Sequence, residues 1–345
     1  MTLLIDLSIL RHPYCGLGQL ALGYGNYYAA RPDFFPADCT VTLLVPRDWV
    51  GRFGDHVQYL VCRDIYRFCP WLVPHYDVWH SIHQLTPFRP AGSTRRILTV
   101  HDVNFVYEKQ GAKRRRYIRR LQRECDSAAE VCFISRFSMN DALRFVDLHG
   151  RQGHVVYSGA ASIDGVPQQQ PDGIPQDKPF LLSLGVLKPK KNTHTLLPMM
   201  EHLEGYNLVI AGDGHGDYAD GLRRYADTHP NVFVAGAVSD PERNWLFAHC
   251  AGFLFPSLFE GFGRPVIEAF QWGKPVFCST CTSIPEFGAE HAFYFSDFTP
   301  LHMAQTVSGG LAVFDEKRRQ AEQEYAASFS YDRHMQQYLN LYLGK

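Results

Sequence analysis

Two carboxylates stand eight positions apart in the segment PSLFEGFGRPVIEAFQWGKPV, residues 256–276. Glu260 precedes a glycine-rich turn, and Glu268 follows the pair Arg264-Pro265. Proline is favoured in the first turn of a helix, where its missing amide hydrogen costs nothing. The segment therefore predicts a helix that begins at Arg264-Pro265, contains Glu268 and ends at Gly273.

The turn between the carboxylates is the second chemical feature. The amides of Gly261, Phe262 and Gly263 would point to one place at the amino end of the helix, which attracts anions. A carboxylate can accept hydrogen bonds from hydroxyl groups, so one of the two suits a sugar and the other suits a ribose. A phosphate between two sugars is the structure of a nucleotide sugar, and the segment indicates a site for one.

The elements that position this segment follow a regular pattern along the chain. Short apolar runs rich in β-branched residues alternate with longer mixed segments, which predicts an α/β fold with two Rossmann-like domains facing a central cleft. Ligands of such sheets bind beyond the carboxyl ends of the strands. The predicted strands are LLIDL, CTVTLLV, VQYLV, DVWHSI, RRILTV, EVCFIS and GHVVYS in the first half, and FLLSLGVL, NLVIAG, NVFVAG, AGFLFPS, KPVFCS and AFYFS in the second.

A segment rich in proline and glutamine, residues 166–179, predicts the linker between the domains. It separates an N-terminal domain, residues 1–165, from a C-terminal domain, residues 180–330. Residues 314–343 have the aromatic spacing of a helix. The last helical part, residues 331–345, is expected to return to the first domain.

The bulk composition is that of a globular chain. The 345 residues are 46% hydrophobic and 14% aromatic, and no apolar run is long enough to span a bilayer. The amino terminus lacks the pattern of a signal peptide. The nine cysteines are odd in number and lie mostly in apolar segments, which favours reduced thiols and a cytoplasmic location. Cys278 and Cys281 have no second ligand pair that would suit zinc.

Positive charge is concentrated in the first half of the chain. Residues 1–160 contain 20 Lys and Arg against 14 Asp and Glu, and residues 161–345 contain 14 against 21, which gives the net charge of −1. Seven of the eleven residues 113–123 are cationic. Such a segment suits an anionic membrane surface, a phosphorylated acceptor or simply a solvated helix face. The candidate acceptor or membrane residues are Lys113, Arg114, Arg115, Arg116, Arg119 and Arg120.

The segment GLGQLA, residues 16–21, fits the G-x-G-x-x-G/A pattern of dinucleotide-binding folds. In that pattern the first glycine directly follows a strand, whereas residues 11–15 separate Gly16 from the apolar run. The acidic residue expected after the second strand is displaced, because Asp48 follows Pro46. The spacing favours a loop that lets the backbone approach a ligand. An NAD(P)-dependent oxidoreductase remains an alternative.

With these motifs, the chain resembles the retaining glycosyltransferases of family 4, whose two Rossmann-like domains form the GT-B fold. The E-x7-E spacing of Glu260 and Glu268 carries the resemblance most specifically. The second half also contributes LSLGVLKPKKNTHTLL, LVIAGDG, NVFVAGAVSDPERNWLFAHC and STCTSIPE. The first half matches less strictly, through LTVHDVNFVYEK, CFISRFSMNDAL and VVYSGA.

The resemblance implies a role for each matching residue. Glu260 would bind hydroxyls of the donor sugar, Glu268 would bind the nucleotide ribose, and His101 would lie beside the sugar. Lys191 would neutralise the diphosphate as the glycosidic bond breaks, which completes a catalytic set of His101, Glu260 and Lys191. The other donor-binding positions are Gly16, Gly18, Gly185, Lys190, Gly212, Val238, Gly261, Phe262, Gly263 and Val266.

Two positions depart from the family pattern. Val186 stands where many members have an arginine as a second phosphate cation, so Lys188 or Lys190 is a candidate substitute. Ser158 stands where members often have asparagine. No D-x-D motif for a metal-bound diphosphate is present, and a reaction without metal or cofactor is expected.

The resemblance implies transfer of a hexose, with retention, from a GDP- or UDP-linked donor in the second domain to a glycan or lipid-linked acceptor on the side of the first. Because no carboxylate is placed as a nucleophile, we expect front-face attack assisted by the departing diphosphate oxygen. The segment KPKKN favours mannose, and the expected setting is bacterial surface polysaccharide such as lipopolysaccharide. A cytoplasmic location, peripheral on the inner face of the plasma membrane, is expected, with no nucleic acid as partner. A catalytically silent sugar-nucleotide-binding protein is a further alternative.

Overall fold

The computed structural model describes residues 1–13 and 15–345; Tyr14, in the loop predicted before Gly16, lies outside the described residues. The chain divides into two compact units. The first unit contains residues 1–159 and 331–345, and the second unit contains residues 160–330.

The first unit contains a parallel sheet of seven strands in the order β3-β2-β1-β4-β5-β6-β7. The second contains a parallel sheet of six strands in the order β10-β9-β8-β11-β12-β13. Every predicted strand segment overlaps one of these strands, so the prediction of two Rossmann-like sheets is confirmed. The strands are β1 Thr2–Asp6, β2 Thr40–Val45, β3 Gln58–Val61, β4 Val78–Ser81, β5 Arg95–Val100, β6 Glu130–Phe133, β7 His154–Val155, β8 Phe180–Leu184, β9 Asn207–Ala211, β10 Val232–Gly236, β11 Gly252–Phe255, β12 Val276–Cys278 and β13 Phe293–Tyr294.

Helices connect the strands in both units. The α-helices are α1 Gly16–Ala30, α2 Ile65–Phe68, α3 Phe105–Glu108, α4 Gly111–Asp126, α5 Arg136–Ala142, α6 Leu196–Met199, α7 Asp217–Ala226, α8 Asp240–His249, α9 Arg264–Gln271, α10 Ile284–Gly288, α11 Pro300–Val313, α12 Glu316–Ala327 and α13 Tyr331–Tyr342. Short 3-10 helices span Ser8–Arg11, Pro32–Phe34, Arg47–Trp49, Pro70–Leu72, Pro189–Lys191, Thr193–Thr195 and Met200–His202.

The central strands of each sheet are buried on both faces. In β1, for example, Leu3 and Ile5 pack into one core cluster and Leu4 packs into another on the opposite face. Continuous apolar strands of this kind are typical of parallel sheets, in which both faces must exclude water.

The carboxyl-terminal helix α13 belongs to the first unit, as predicted. Tyr338 and Tyr342 are fully buried, and the Tyr342 hydroxyl lies 2.7 Å from His80 Nδ1. On the same helix, His334 Nε2 lies 2.9 Å from the hydroxyl of Tyr24 on α1. The helix is therefore part of the first unit's core and not an appendage.

Residues 314–343 form two helices, α12 and α13, and not the single helix that the aromatic spacing predicts. Ser330 lies between them and forms a β-bridge with Ala160. The bridge requires extended backbone, which ends the first helix before residue 330.

The segment expected to link the domains lies inside the second unit. The amide of Gln169 donates to Pro241 O at 3.0 Å, and the side chain of Asn244 donates to Pro167 O at 3.1 Å. These hydrogen bonds tie residues 166–179 to the amino-terminal half of helix α8, and the chain instead leaves the first unit after Gly159.

Candidate functional site

The strand order of the second unit defines where a ligand would bind. The chain leaves β8 in one direction along the sheet and returns to β11 on its other side, and the loops beyond these strands form a crevice at the switch point. The loop after β8 contains Lys191, and the loop after β11 contains Glu260. Sequence positions 69 residues apart therefore meet at one edge of the sheet.

Lys191 and Glu260 form a direct ion pair. Lys191 Nζ lies 2.5 Å from Glu260 Oε1, which also accepts a hydrogen bond of 2.7 Å from Ser257 Oγ. Each side chain of the pair is 15% exposed, so water screens the interaction only partly. Lys191 Nζ also lies 5.2 Å from the centre of the Phe255 ring. Two of the three residues that the resemblance names as catalytic thus form an ion pair with each other.

Hydrogen bonds between the loops fix the position of this pair. Lys190 O accepts from the amide of Leu258 at 2.8 Å and from Ser257 Oγ at 3.2 Å. The amide of Glu260 donates to Thr282 Oγ1 at 3.0 Å. Ser283 Oγ donates to Glu260 O at 3.0 Å. Three loops therefore hold Glu260, and Ser257 contacts its carboxylate in addition to the flexible lysine.

Helix α9 begins as predicted. Arg264 is its first residue, Pro265 lies in its first turn, and Gly263 precedes it with φ +114°, a conformation that favours glycine. The helix ends at Gln271, and Gly273 follows with φ +59°. The residue that precedes the helix, Gly263, has no side chain to cap the amino end, and an end of this kind attracts anions.

Two predicted donor-binding residues near this helix, Phe262 and Val266, have buried side chains that a ligand could not contact. Phe262 is buried, with its ring 3.9 Å from the ring of Phe287, and Phe262 O accepts a hydrogen bond of 2.8 Å from Ser283 Oγ. The side chain of Val266 is fully buried, and its amide donates to Gly263 O at 2.9 Å. Any contact between these positions and a ligand must therefore come from other main-chain groups.

Glu268 is buried and paired with two arginines. Its Oε1 lies 2.5 Å from Arg243 and 3.0 Å from Arg264. Burial by itself raises the pKa of this carboxyl group, but the charges and hydrogen bonds of Arg243 and Arg264 outweigh it, and the net result is a pKa below the usual value. Glu268 is therefore ionised and held in one orientation.

Arg243 is a site residue that the sequence reasoning missed. It lies in the first turn of α8, whose start is fixed by a capping box between Ser239 and Glu242. The S-x-x-E pattern predicts where the helix begins, but nothing in the sequence relates Arg243 to Glu268, 25 positions away. Glu260 and Glu268 share no ion-pair partner among the described residues. Glu260 pairs with Lys191, whereas Glu268 pairs with two arginines.

Glycines line the carboxyl ends of three neighbouring strands. The amide of Gly212 donates to Gly236 O at 2.6 Å, and a Cβ on Gly212 would lie 1.9 Å from Gly185 O. Gly185 itself lies against the Lys191 side chain, where a Cβ would sit 3.6 Å from the lysine Cε. A small cavity of about 10 Å³ opens here, lined by Ser183, Leu184, Gly185, Leu187, Lys191, Thr193, Ile210, Phe255 and Pro256.

The remaining predictions in the second unit concern flanking positions. Val186, at the position of the missing arginine, is exposed, and so is Lys188. Lys190 and Val238 are half-buried. All nine cysteines of the chain are free, including Cys278 and Cys281.

In the first unit, His101 directly follows β5. Its Nε2 lies 2.8 Å from Ile82 O, and its amide donates to Gln84 Oε1 at 3.1 Å. Because a carbonyl only accepts, Nε2 carries the proton, and Nδ1 is left as an acceptor. Burial lowers the pKa of His101 to about 4, so the ring is neutral near pH 7.

The predicted glycine loop is the first turn of helix α1. The amide of Gly18 donates to Cys15 Sγ at 3.3 Å, which caps the helix. A Cβ on Gly18 would lie 2.1 Å from His12 O, so close packing of the preceding backbone accounts for this glycine. Nothing lies within 4 Å of a Cβ on Gly16. The expectation of a loop at these glycines is wrong. Cys15 caps helix α1, so the helix already begins at Gly16, the first glycine of the pattern.

The basic segment forms the exposed face of helix α4. Lys113 to Arg116 and Arg119 are exposed, whereas Leu121 and Cys125 are fully buried in the core. Arg120 is partly buried and donates to Leu85 O at 2.7 Å. One face of α4 is thus an array of cations, and the other anchors it.

Metal clusters and membrane-spanning helices are absent from the described residues. No cluster of three or more His, Cys, Asp or Glu side chains has the arrangement of a metal site among residues 1–13 and 15–345. In the same residues, no helix is long and apolar enough to cross a membrane.

Residues 167–303 match the family model described as "Glycosyl transferases group 1". The matched segment contains Lys191, Arg243, Glu260, Arg264 and Glu268. The chain is 28% identical to O-antigen chain mannosyltransferase B of Escherichia coli, over 63% of this chain and 61% of that protein. It is 24% identical to O-antigen chain mannosyltransferase RfbU of Salmonella typhimurium, over 57% of this chain and 55% of that protein. The chain thus spans less than two thirds of the length of these curated relatives.

Solved structures share the fold over the whole chain. Sucrose-phosphate synthase of Thermosynechococcus elongatus aligns with a TM-score of 0.74 at 16% identity, covering 100% of this chain and 98% of that chain. Anabaena HepE in complex with UDP-glucose aligns with a TM-score of 0.72 at 17% identity, covering 100% and 99%. These likenesses confirm the predicted GT-B fold.

Proposed function

We propose that the protein is a retaining glycosyltransferase that transfers a hexose from a nucleoside diphosphate donor to a glycan or lipid-linked acceptor. The observation that carries the proposal is the Lys191–Glu260 ion pair. The pair lies in the loops at the switch point of the second sheet, and the loop that contains Glu260 leads into the amino end of α9. The match to a family of glycosyltransferases covers this segment and supports the same conclusion.

The donor would exchange partners with the ion pair. Lys191 would leave the carboxylate and bind the diphosphate, whose charge the amino end of α9 also attracts. Glu260, still held by Ser257 and by its own amide, would then accept hydrogen bonds from hydroxyls of the sugar. Binding would thus replace the Lys191–Glu260 ion pair with two new interactions, one between Lys191 and the diphosphate and one between Glu260 and the sugar.

Glu268 would bind the ribose, and its arginines would extend the cationic surface. The second phosphate cation, absent at Val186, would be Arg264, because it occupies the first position of α9, where the diphosphate is expected. Lys188, which is exposed, and Lys190, which is half-buried, remain candidates for the same role. Arg243 would keep Glu268 ionised when Arg264 turns to the ligand.

Transfer would proceed on one face of the sugar. The acceptor oxygen forms a bond to the anomeric carbon as the bond to the diphosphate oxygen breaks, and the departing diphosphate takes the acceptor's proton. Glu260 and Glu268 are both engaged by cations, which suits binding and not nucleophilic attack. Lys191 would stabilise the charge that develops on the leaving group. His101 would accept a hydrogen bond from the sugar at Nδ1, and neither metal nor cofactor is invoked.

The sugar and the pathway are proposed from the relatives. Two of them are named as O-antigen chain mannosyltransferases, which supports mannose, from GDP-mannose, and a role in bacterial surface polysaccharide. The HepE structure contains UDP-glucose, so a UDP-linked donor is the second candidate. The location proposed for such an enzyme is the cytoplasm, with the acceptor presented at the membrane.

A panel of donors tests the proposal directly. Thermal unfolding is measured with GDP, UDP and ADP and with their common sugar conjugates, followed by NMR of the product anomer with the donor that stabilises most. We expect one nucleotide series to stabilise the protein and the product to keep the donor's anomeric configuration. Stabilisation by NAD(H) alone would support the oxidoreductase, and donor binding without transfer to any acceptor glycan would support a silent binding protein.

A further inference from the structure

An exposed apolar ridge stands beside the cations of α4 in the first unit. Four large apolar side chains within eight residues of the chain, on α2 and the 3-10 helix after it, face solvent. Contiguous exposure of this kind marks an interaction surface in a folded protein. We define the apolar ridge as Ile65, Phe68, Trp71 and Leu72, which are 47%, 75%, 69% and 53% exposed.

The ridge borders a groove of about 970 Å³ whose charged lining is entirely cationic. Phe68 and Trp71 belong to both the ridge and the lining, so the apolar and the basic surfaces are continuous. We define the basic groove by its cations, Arg67, Arg89, Lys113, Arg116, Arg120 and Arg123.

Carboxylates compensate only two of these cations. Arg67 lies 3.5 Å from Asp64, which also faces Arg11, and Arg89 pairs with the buried Glu124. The other four cations have no carboxylate partner among the described residues. Their charge is therefore available to an external anion.

The groove has rigid walls. Arg120 donates to Leu85 O at 2.7 Å and to Thr86 O at 3.3 Å, which joins α4 to the loop after β4. Glu124 of the same helix also binds the buried Arg96 at 2.9 Å. A surface that is already formed loses little conformational entropy on binding.

We propose that the apolar ridge and the basic groove together dock the protein on an anionic lipid bilayer. Aromatic side chains that project from short helices enter the boundary between headgroups and acyl chains, and clustered Lys and Arg attract anionic headgroups. Neither feature suffices by itself, but the two are continuous here. The inference concerns attachment and does not depend on the proposed transfer reaction.

Vesicle partitioning of the whole protein tests the inference. We expect binding to vesicles of phosphatidylglycerol and phosphatidylcholine in equal parts to exceed binding to pure phosphatidylcholine by about tenfold or more, and to fall as salt is added. Lys113→Gln with Arg116→Gln should lower the partition coefficient about fivefold for each charge removed. Phe68→Ser with Trp71→Ser should lower it about tenfold or more.

Matched controls come from the second unit. Leu301→Ser with Val313→Ser removes two exposed apolar side chains, and Arg224→Gln with Lys317→Gln removes two exposed cations. We expect both control proteins to bind anionic vesicles like the wild type. Equal losses in test and control variants would overturn the proposal, as would equal binding to neutral and anionic vesicles.

The depth of Trp71 gives a second readout. In vesicles with brominated acyl chains, tryptophan fluorescence should be quenched in the wild type and not in Trp71→Phe, although that variant keeps an aromatic ring and should partition within about twofold of the wild type. Quenching that persists in Trp71→Phe would overturn the insertion of the ridge. A ridge that mediates self-association, lost in Phe68→Ser without any vesicle binding, would assign the surface to a second copy instead.

Discussion

The two units have the same order of strands around the switch point, but their charged groups are in opposite states. At the edge of the second sheet, Lys191, Arg243 and Arg264 are each paired with a carboxylate. In the basic groove of the first unit, four of six cations have no carboxylate partner among the described residues. Paired charges suit a site that must hold a small ligand in one pose, whereas uncompensated charges suit a surface that attracts a diffuse anion.

Among the substitutions in the paired region of the second unit, Glu260→Gln should lower the rate of transfer most. The amide keeps the shape of the side chain but removes the charge that is proposed to orient sugar hydroxyls and that pairs with Lys191. We expect transfer to fall about 10²–10³-fold, the usual cost of removing one such contact at a reacting centre. Initial rates with the stabilising donor measure it.

Glu290→Gln is the matched control, because Glu290 is an exposed glutamate of the same unit. Its rate should equal that of the wild type. Transfer by Glu260→Gln within about threefold of the wild type would remove Glu260 from the site.

Lys191→Ala tests the other member of the pair. Loss of a charged hydrogen bond to the diphosphate should weaken nucleoside diphosphate binding by about 1.5–3 kcal/mol, or roughly 10–150-fold. Isothermal titration measures the affinity. Lys188→Ala, which removes an exposed lysine three positions away, should change it little, and equal losses in the two variants would contradict a specific role for Lys191.

Arg243→Gln tests the paired charges of the second unit through the pH dependence of stability. With one arginine fewer, burial should raise the pKa of Glu268 towards or above its usual value. The lowered pKa in the wild type stabilises the fold above the pKa of the unfolded chain and ceases to do so as pH falls through the folded pKa.

The difference in free energy of unfolding between wild type and Arg243→Gln should therefore be about 1–3 kcal/mol at pH 7 and should shrink below pH 4. Denaturant unfolding across this range measures it. A difference that is independent of pH would show that Arg243 acts through packing and not through Glu268.

The smallest effect concerns His101 in the first unit. Its pKa of about 4 lies below the usual value, so the neutral ring stabilises the fold at pH 7, and this contribution falls as pH drops below about 6.5 towards 4. We expect the rate of transfer to show no inflection from His101 between pH 5.5 and 8. An inflection near 6.5 that disappears in His101→Asn would contradict the neutral tautomer.

The strands and helix α9 were predictable because apolar runs, glycine and proline report local backbone requirements. Arg243 and Trp71 were not, because an ion pair across elements and the exposure of one aromatic depend on tertiary packing. The start of α1 escaped prediction for a local reason, since the thiol of Cys15 caps a helix less commonly than Ser, Thr, Asp or Asn does. The E-x7-E spacing indicated the site, but not that each glutamate has its own cations.

The central claim is that the Lys191–Glu260 pair must open for a donor to bind. The most direct measurement is the affinity of Glu260→Gln for the nucleoside diphosphate without its sugar, set beside the same variant's rate of transfer. Removing the carboxylate that competes for Lys191 should tighten diphosphate binding about fivefold, the value of a partly exposed ion pair, while transfer is lost. Diphosphate binding that is unchanged or weaker in this variant would contradict the account.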